Sequence, residues 1–215
     1  MTARRITGLL RIAFAALALV AVGVQLFGVT VPSGFSVVDF FSYFTNLSNL
    51  ALAAVLLIGG VHLLRGAADP GATAVALRGA SVVCIALVGL VFNTLLTDVP
   101  LGGLIPWVNT VLHIVMPIAG VLDWLVRPPR LRIPLRTALI WPVFPVVYTI
   151  YSLVRGAATG FYPYPFFDPA ANGGYGGVAA YCVVLVVALL LLALLVRWAG
   201  NALGARRSRI ADAPA

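Results

Sequence analysis

Hydroxyl and amide side chains are concentrated in one short stretch of the sequence. The stretch reads Phe41-Ser42-Tyr43-Phe44-Thr45-Asn46-Leu47-Ser48-Asn49. Positions 42, 45, 48 and 49 share one face of a helix, because side chains three or four residues apart are neighbours on a helix surface. Hydroxyl and amide groups on one face can bind a substrate or a neighbouring helix. Their density makes this face a candidate functional site.

A candidate proton acceptor occurs in the stretch Trp107-Val108-Asn109-Thr110-Val111-Leu112-His113. Asn109 and His113 lie one helical turn apart, and a neutral imidazole accepts a proton near neutral pH. His113 is therefore a candidate general base, with a purely structural role as the alternative. The second histidine, His62, lies on the order of 18 Å from the level of His113 if both stand on membrane helices. Because one iron cannot bind both, and the chain has no Glu, we expect no metal site and no cofactor.

An aromatic and proline-rich loop is the third polar or aromatic cluster of the sequence. It reads Thr159-Gly160-Phe161-Tyr162-Pro163-Tyr164-Pro165-Phe166-Phe167-Asp168-Pro169. Aromatic side chains at this density are typical of a belt at the membrane surface. The closely spaced prolines also restrict the backbone. The loop is therefore either a belt or a rigid wall above the level of Thr45 and His113.

The composition indicates which elements position these residues. Of the 215 residues, 62% are apolar and 9% are charged, whereas soluble domains carry roughly 25% charged residues. Continuous apolar runs of about 20 residues predict membrane-spanning helices rather than barrel strands. We expect an all-α, polytopic membrane protein, a bundle of six transmembrane helices in one domain over 1–215. The predicted spans are approximately 8–28, 40–64, 75–96, 104–126, 134–155 and 177–199.

The arginines predict the orientation of the bundle. All 14 basic residues are Arg, and the net charge is +8. Their position in small clusters between apolar runs is a topology signal rather than a nucleic-acid interface. One side of the predicted membrane has Arg155, and the other has twelve arginines: Arg4, Arg5, Arg65, Arg78, Arg127, Arg130, Arg132, Arg136, Arg197, Arg206, Arg207 and Arg209. We therefore expect both termini in the cytoplasm of a cell-membrane protein, with Arg11 extending back to the inner surface.

The predicted topology brings the two polar clusters to similar depths. Both spans run inward, so Thr45 lies roughly 8 Å and His113 roughly 14 Å below the outer surface at 1.5 Å per residue. Helix tilt and uncertain helix ends cover this difference. Contact between the two side chains is therefore permitted in the outer half of the bundle.

Three separated pieces of the chain resemble the androgen-induced gene family of multi-span membrane proteins and its bacterial six-span relatives. They are Tyr43-Phe44-Thr45-Asn46-Leu47, Trp107-Val108-Asn109 followed by His113 and Pro117, and Thr159-Gly160-Phe161-Tyr162-Pro163 with Pro165-Phe166. Animal members are threonine hydrolases of fatty acid esters of hydroxy fatty acids. The resemblance implies Thr45 as the nucleophile and His113 as the base. Around the threonine, Asn46, Ser48 and Asn49 make this sequence more polar than the animal pattern.

The implied chemistry is consistent with the residue types. A threonine hydroxyl is a weak nucleophile unless a base removes its proton, and an oxyanion needs hydrogen-bond donors. The candidate donors or substrate-binding residues are Asn46, Asn49, Asn109, Tyr148 and Tyr162. Asp123 lies about three turns deeper than His113, so we expect a Thr–His dyad without a carboxylate. The expected partner is a lipid ester from the membrane.

Two non-hydrolytic functions remain as alternatives. A small transporter would line a path with polar groups through to the cytoplasmic side, where the sequence offers little besides His62 and Asp123. A structural membrane protein would use the polar residues only to join helices, a common role of small polar residues in membranes.

Overall fold

Six long apolar helices form the protein. The computed structural model describes residues 3–67, 69–97 and 103–211, which are helical with connecting turns and contain no strand. The remaining residues of the predicted domain lie outside this description. The helices that could cross a membrane are, in chain order, Ala3–Thr30, Phe44–Leu64, Ala72–Leu95, Pro106–Val126, Leu135–Thr159 and Tyr175–Arg207, which we call the first to sixth spans. The six-span, all-α prediction is confirmed.

The first and sixth spans extend furthest beyond their predicted boundaries, and the second span begins later than predicted. The sixth helix runs from Tyr175 to Ala211, beyond the predicted end at 199. The second span begins at Phe44 rather than at 40, because a separate short helix, Val37–Phe41, precedes it. Ser36 caps this short helix by accepting a hydrogen bond from the Asp39 amide at 3.3 Å. The chain then turns through Ser42 and Tyr43.

This break corrects the predicted polar face. Ser42 ends the short helix, and Tyr43 has an extended backbone with φ −79° and ψ 126°. Only positions 45, 48 and 49 therefore belong to one helical face. Ser42 is buried elsewhere, where its hydroxyl lies 3.0 Å from the Tyr151 hydroxyl of the fifth span.

Two spans contain π-helical segments near the same end of the bundle. They are Leu26–Thr30 in the first span and Val111–Val115 in the fourth, which joins the helices Pro106–Thr110 and Met116–Val126. The fifth span is also interrupted, because Leu135–Ile140 and Val143–Thr159 are separate helices around Pro142. Each interruption frees backbone groups that side chains or water must satisfy. The end of the bundle near the two π-helical segments is formed by 30–43, 103–106 and 160–174. We call it the outer end, because the sequence predicts that it faces outwards.

At the opposite, inner end a buried ion cluster joins three spans. Arg11 Nε lies 2.6 Å and Arg78 Nη2 2.7 Å from the two carboxylate oxygens of Asp123. The prediction that Arg11 extends to the surface is wrong, since this side chain turns inward to the carboxylate and the residue is 8% exposed. The close approach of the first and second spans explains why this is possible: a Cβ on Gly60 would lie 2.8 Å from the Gly8 carbonyl oxygen.

Candidate functional site

Thr45 lies in the first turn of the second span, at the N-terminus of a helix. The first amides of a helix have no partner within it, and the Thr45 amide instead donates to the Tyr164 hydroxyl at 3.2 Å. The Thr45 side chain is 7% exposed. Because the N-terminal end of a helix carries partial positive charge, this position favours negative charge on the Thr45 oxygen.

His113 lies in the π-helical segment of the fourth span and faces Thr45. Its Nε2 is 3.3 Å from Thr45 Oγ1, and its Nδ1 is 3.1 Å from the Asn109 carbonyl oxygen. The imidazole is also stacked on the Phe92 ring, with centroids 4.0 Å apart. The structure therefore brings together Thr45 and His113, which the sequence only permitted to meet.

The hydrogen-bond partners determine which way each proton points. The Asn109 carbonyl can only accept, so Nδ1 of a neutral His113 carries the proton and Nε2 accepts. Because Nε2 of this tautomer can only accept, its contact with Thr45 Oγ1 uses the single Thr45 proton. Thr45 Oγ1 then has no proton for Tyr164, so the Tyr164 hydroxyl, which accepts from the Thr45 amide, donates to Thr45 Oγ1 at 3.3 Å. This arrangement is the one that general-base activation of a threonine requires.

Asn49 connects the threonine helix to the histidine segment. Its amide nitrogen donates to the Thr45 carbonyl at 2.9 Å and to the Leu112 carbonyl at 3.1 Å. The Leu112 carbonyl lacks a helical partner, because the Met116 amide donates to Val111 and Pro117 has no amide proton. Asn49 therefore satisfies a carbonyl that the π-helical segment leaves free, and in doing so holds the two helices together beside the site.

The predicted oxyanion donors have other roles. The Asn46 amide nitrogen donates to the Phe40 carbonyl at 2.7 Å, and the Tyr148 hydroxyl donates to the Ser42 carbonyl at 2.8 Å. Asn49 is engaged as described above. These bonds maintain the break before the second span, while Asn46 and Tyr148 also line the two cavities beside Thr45. Asn109 contributes its backbone carbonyl to His113.

Tyr164, which the sequence analysis did not select, is the donor beside Thr45. Its backbone lies between Pro163 and Pro165, and its ring packs on Tyr43 and Phe166 at centroid distances of 5.7 and 5.1 Å. Burial raises the pKa of Tyr164 to about 12, so the phenol stays protonated at neutral pH. The Pro-Tyr-Pro sequence was the available signal, because flanking prolines restrict the backbone that presents the side chain.

The aromatic loop thus folds inward over the site. Tyr164, Phe166 and Phe167 are 8%, 6% and 2% exposed, so they form a wall rather than a belt at the membrane surface. The predicted substrate-binding residue Tyr162 packs against the fifth span. A Cβ on Gly156 would lie 2.1 Å from the Tyr162 ring, so only glycine permits this approach.

Two cavities meet at Thr45 and His113. The outer cavity, of about 670 Å³, lies at the outer end and is lined by both apolar and polar side chains, and Thr45 and His113 form part of its wall. Its other polar lining residues are Gln25, Thr30, Ser33, Tyr43, Asn46, Tyr162, Tyr164 and Asp168. The second, a narrow apolar groove of about 60 Å³, also contains Thr45 and His113 and extends between the third, fifth and sixth spans. A hydroxyl and an imidazole thus lie where a cavity that contains polar groups meets an apolar groove.

The site has no metal-binding character in the part of the chain that the structure describes. Among those residues, His, Cys, Asp and Glu side chains form no group of three that could hold an ion.

Comparison with known proteins gives no further identification. No protein-family model, no curated protein and no solved structure matches the chain.

Proposed function

We propose that this membrane protein is a threonine hydrolase that cleaves lipid esters, with Thr45 as the nucleophile and His113 as the general base. The observation that carries the proposal is the 3.3 Å contact between Thr45 Oγ1 and the acceptor nitrogen of His113. Both residues are 7% exposed and line both cavities. The resemblance to the androgen-induced gene family assigns the same roles to the same two residues.

The first half of the reaction forms an acyl-enzyme. Thr45 Oγ1 attacks the ester carbonyl carbon while its proton moves to His113 Nε2, and the carbonyl π electrons move to the oxygen. Once Thr45 Oγ1 is bonded to the carbonyl carbon, the Tyr164 hydroxyl beside it turns to donate to the adjacent carbonyl oxygen. This hydroxyl and the helix N-terminus stabilise the negative charge on that oxygen. When the intermediate collapses, the bond to the alcohol oxygen breaks and this oxygen takes the proton from His113.

The second half of the reaction releases the fatty acid. A water molecule from the outer cavity attacks the Thr45 ester and gives one proton to His113. Collapse of the second intermediate breaks the bond to Thr45 Oγ1, which recovers its proton from His113. The outer cavity supplies space for water, whereas the apolar groove holds the acyl chain away from it.

The packing below the pair favours hydrolysis over transport. Leu52, Ile85 and Met116 are at most 1% exposed and fill the bundle between the site and the ion cluster at Asp123. A Cβ on Gly120 would lie 2.9 Å from Ile85 and 3.1 Å from Leu52, so this layer is tightly packed. A transport path would require polar groups through this layer.

A covalent probe tests the nucleophile. An alkyl fluorophosphonate forms a bond between phosphorus and Thr45 Oγ1, with loss of fluoride and transfer of the threonine proton to His113. We expect labelling of the wild-type protein in membranes and no labelling of Thr45→Ala. Ser48→Ala is the matched control, because Ser48 is a fully buried hydroxyl on the same helix. Equal labelling of wild type and Thr45→Ala would exclude Thr45 as the nucleophile.

A further inference from the structure

The outer cavity has hydroxyl and amide groups among its apolar lining residues, but no positive charge among the residues described. Its lining offers hydroxyl and amide groups, such as those of Ser33, Tyr43 and Asn46, and one carboxylate, Asp168. The segment 98–102, Asp-Val-Pro-Leu-Gly, contains no basic residue. A negatively charged group entering this cavity would lose water, find no counter-ion in the described lining, and meet Asp168.

The arginine at this end does not serve the cavity. Arg155 Nη2 lies 2.5 Å from Asp39 Oδ1, and its guanidinium carbon lies 4.9 Å from the centre of the Phe161 ring. Arg155 is thus held between the short helix and the aromatic loop, and it is not among the residues that line the cavity.

The apolar groove opens towards the membrane between the fifth and sixth spans. Val146 and Val186 line it and are 37% and 41% exposed, whereas Leu189, deeper in the same groove, is 2% exposed. The described lining has no charged side chain. Because the groove measures only about 60 Å³, it holds the part of a hydrocarbon chain next to the ester, and the rest of the chain stays in the adjoining lipid. A carboxylate in the groove would also lack a counter-ion.

We propose that the site takes a neutral ester, whose acyl chain lies in the apolar groove and whose alcohol part is uncharged and rich in hydroxyl groups, such as a monoacylglycerol. This inference rests on the proposed hydrolase function and narrows its substrate. It separates this chain from the fatty acid esters of hydroxy fatty acids that the family resemblance implies. Those esters carry a free carboxylate, which has no favourable position in either cavity.

Three esters with the same palmitoyl chain test the substrate class on the full-length protein in lipid nanodiscs. They are monopalmitoylglycerol, the palmitoyl ester of hydroxystearic acid, and the methyl ester of that acid, which removes only the charge. We expect kcat/KM at least tenfold higher for the two neutral esters than for the acid. Equal or faster hydrolysis of the acid would overturn the neutral-ester inference while the hydrolase function stands. If the wild-type protein hydrolyses none of the three esters faster than Thr45→Ala does, the hydrolase function and the inference both fail.

Asp168→Asn tests whether the negative charge of Asp168 contributes to the discrimination against the acid. The Asp168 side chain accepts a hydrogen bond from the Ala170 amide at 2.9 Å, and asparagine can keep this bond. We expect the discrimination against the acid relative to its methyl ester to fall at least threefold. Asp69→Asn is the matched control, since Asp69 is an exposed acid paired with Arg130 at the inner end. If the ratio of kcat/KM for the methyl ester to that for the acid were unchanged in Asp168→Asn, Asp168 would not cause the discrimination. This result would contradict the proposed charge selection.

The position of the acyl chain has its own test. Val146→Trp and Val186→Trp place bulk in the groove, whereas Val147→Trp and Val187→Trp place it on neighbouring exposed positions, 57% and 50% exposed, outside the groove. We expect the groove variants to lose labelling by a long-chain fluorophosphonate and to keep labelling by a short-chain one. The control variants should keep both. Equal loss in groove and control variants, or no loss in either, would contradict this position of the chain.

Discussion

At the scale of single residues, the site depends on the direction of three hydrogen bonds. Tyr164 donates towards Thr45, Thr45 points at His113, and His113 donates to the Asn109 carbonyl. The order of donors is fixed because the Asn109 carbonyl can only accept, which makes His113 Nε2 an acceptor, and because Thr45 has a single proton to give. The order of donors is therefore a property of the arrangement and not of any one residue.

Tyr164→Phe removes the only hydroxyl that donates to Thr45 in this arrangement. We expect the rate of fluorophosphonate labelling to fall on the order of tenfold, because one such hydrogen bond contributes about 1 to 1.5 kcal/mol. The labelling rate in membranes measures the effect. Tyr162→Phe is the control, since Tyr162 lines the outer cavity without contacting Thr45, and it should change the rate less than Tyr164→Phe. An equal effect of both substitutions would contradict the assigned role of Tyr164.

At the scale of helices, irregular backbone at the outer end creates the site. The break before Phe44 places Thr45 at a helix N-terminus, and the π-helical segment Val111–Val115 contains His113. Backbone groups freed in this way are costly within a membrane. Side chains satisfy them, as Asn46 does for Phe40 and Asn49 for Leu112.

Asn49→Leu would leave the Leu112 carbonyl without its partner. We expect the free energy of unfolding in detergent to fall by about 1–3 kcal/mol, the usual cost of an unsatisfied buried polar group. Labelling of Thr45 should fall as well, because Asn49 also holds the second span against the fourth. Ser48→Ala, one residue away and buried, is expected to change neither. Full stability of Asn49→Leu would show that the carbonyl finds another partner.

A second prediction about helix packing concerns the ion cluster at the inner end. Asp123→Asn removes the carboxylate between Arg11 and Arg78, so two buried guanidinium groups repel each other without compensation. We expect a loss of about 3 kcal/mol in the free energy of unfolding. Asp69→Asn breaks an exposed pair with Arg130 and should cost less than about 1 kcal/mol. Similar unfolding curves for the two variants would contradict a structural role of the cluster.

At the scale of the whole molecule, the polar groups of the candidate site and most of the positively charged residues lie at opposite ends of the bundle. The hydroxyl, amide and aromatic groups of the site gather at the outer end, whereas Arg11, Arg78 and Asp123 close the inner end. The positive-inside rule predicts that the proposed catalytic pair faces the outer leaflet, so the proposed substrate and water would reach it from that side.

Labelling of single cysteines in intact cells measures this orientation. In a Cys84→Ala, Cys182→Ala background, Ala170→Cys at the exposed outer loop should react with a membrane-impermeant maleimide. Leu131→Cys, at an exposed position between the fourth and fifth spans, should react only after the cells are opened. The reverse pattern would place the arginine-rich end outside and contradict the predicted topology.

Much of the fold follows from local sequence. The six spans are recognisable because each is a continuous apolar run, and the hydrophobic driving force for insertion depends on such runs whatever their neighbours are. The polar stretch around Thr45 and the turn containing His113 can also be recognised from local sequence, because they are polar groups within apolar runs.

Only the tertiary structure determined which side chains contact each other. Thr45 meets His113 across 68 residues and Tyr164 across 119, and no periodicity within one helix encodes such pairs. The sequence alone placed the amides of Asn46 and Asn49 as oxyanion donors, but backbone carbonyls freed by the helix breaks bind them instead. The same packing turned Arg11 inward to Asp123 and left the cavities around the pair without a cation among the described residues. The sequence thus determined the membrane architecture, and the packing of side chains between helices determined the chemistry of the site.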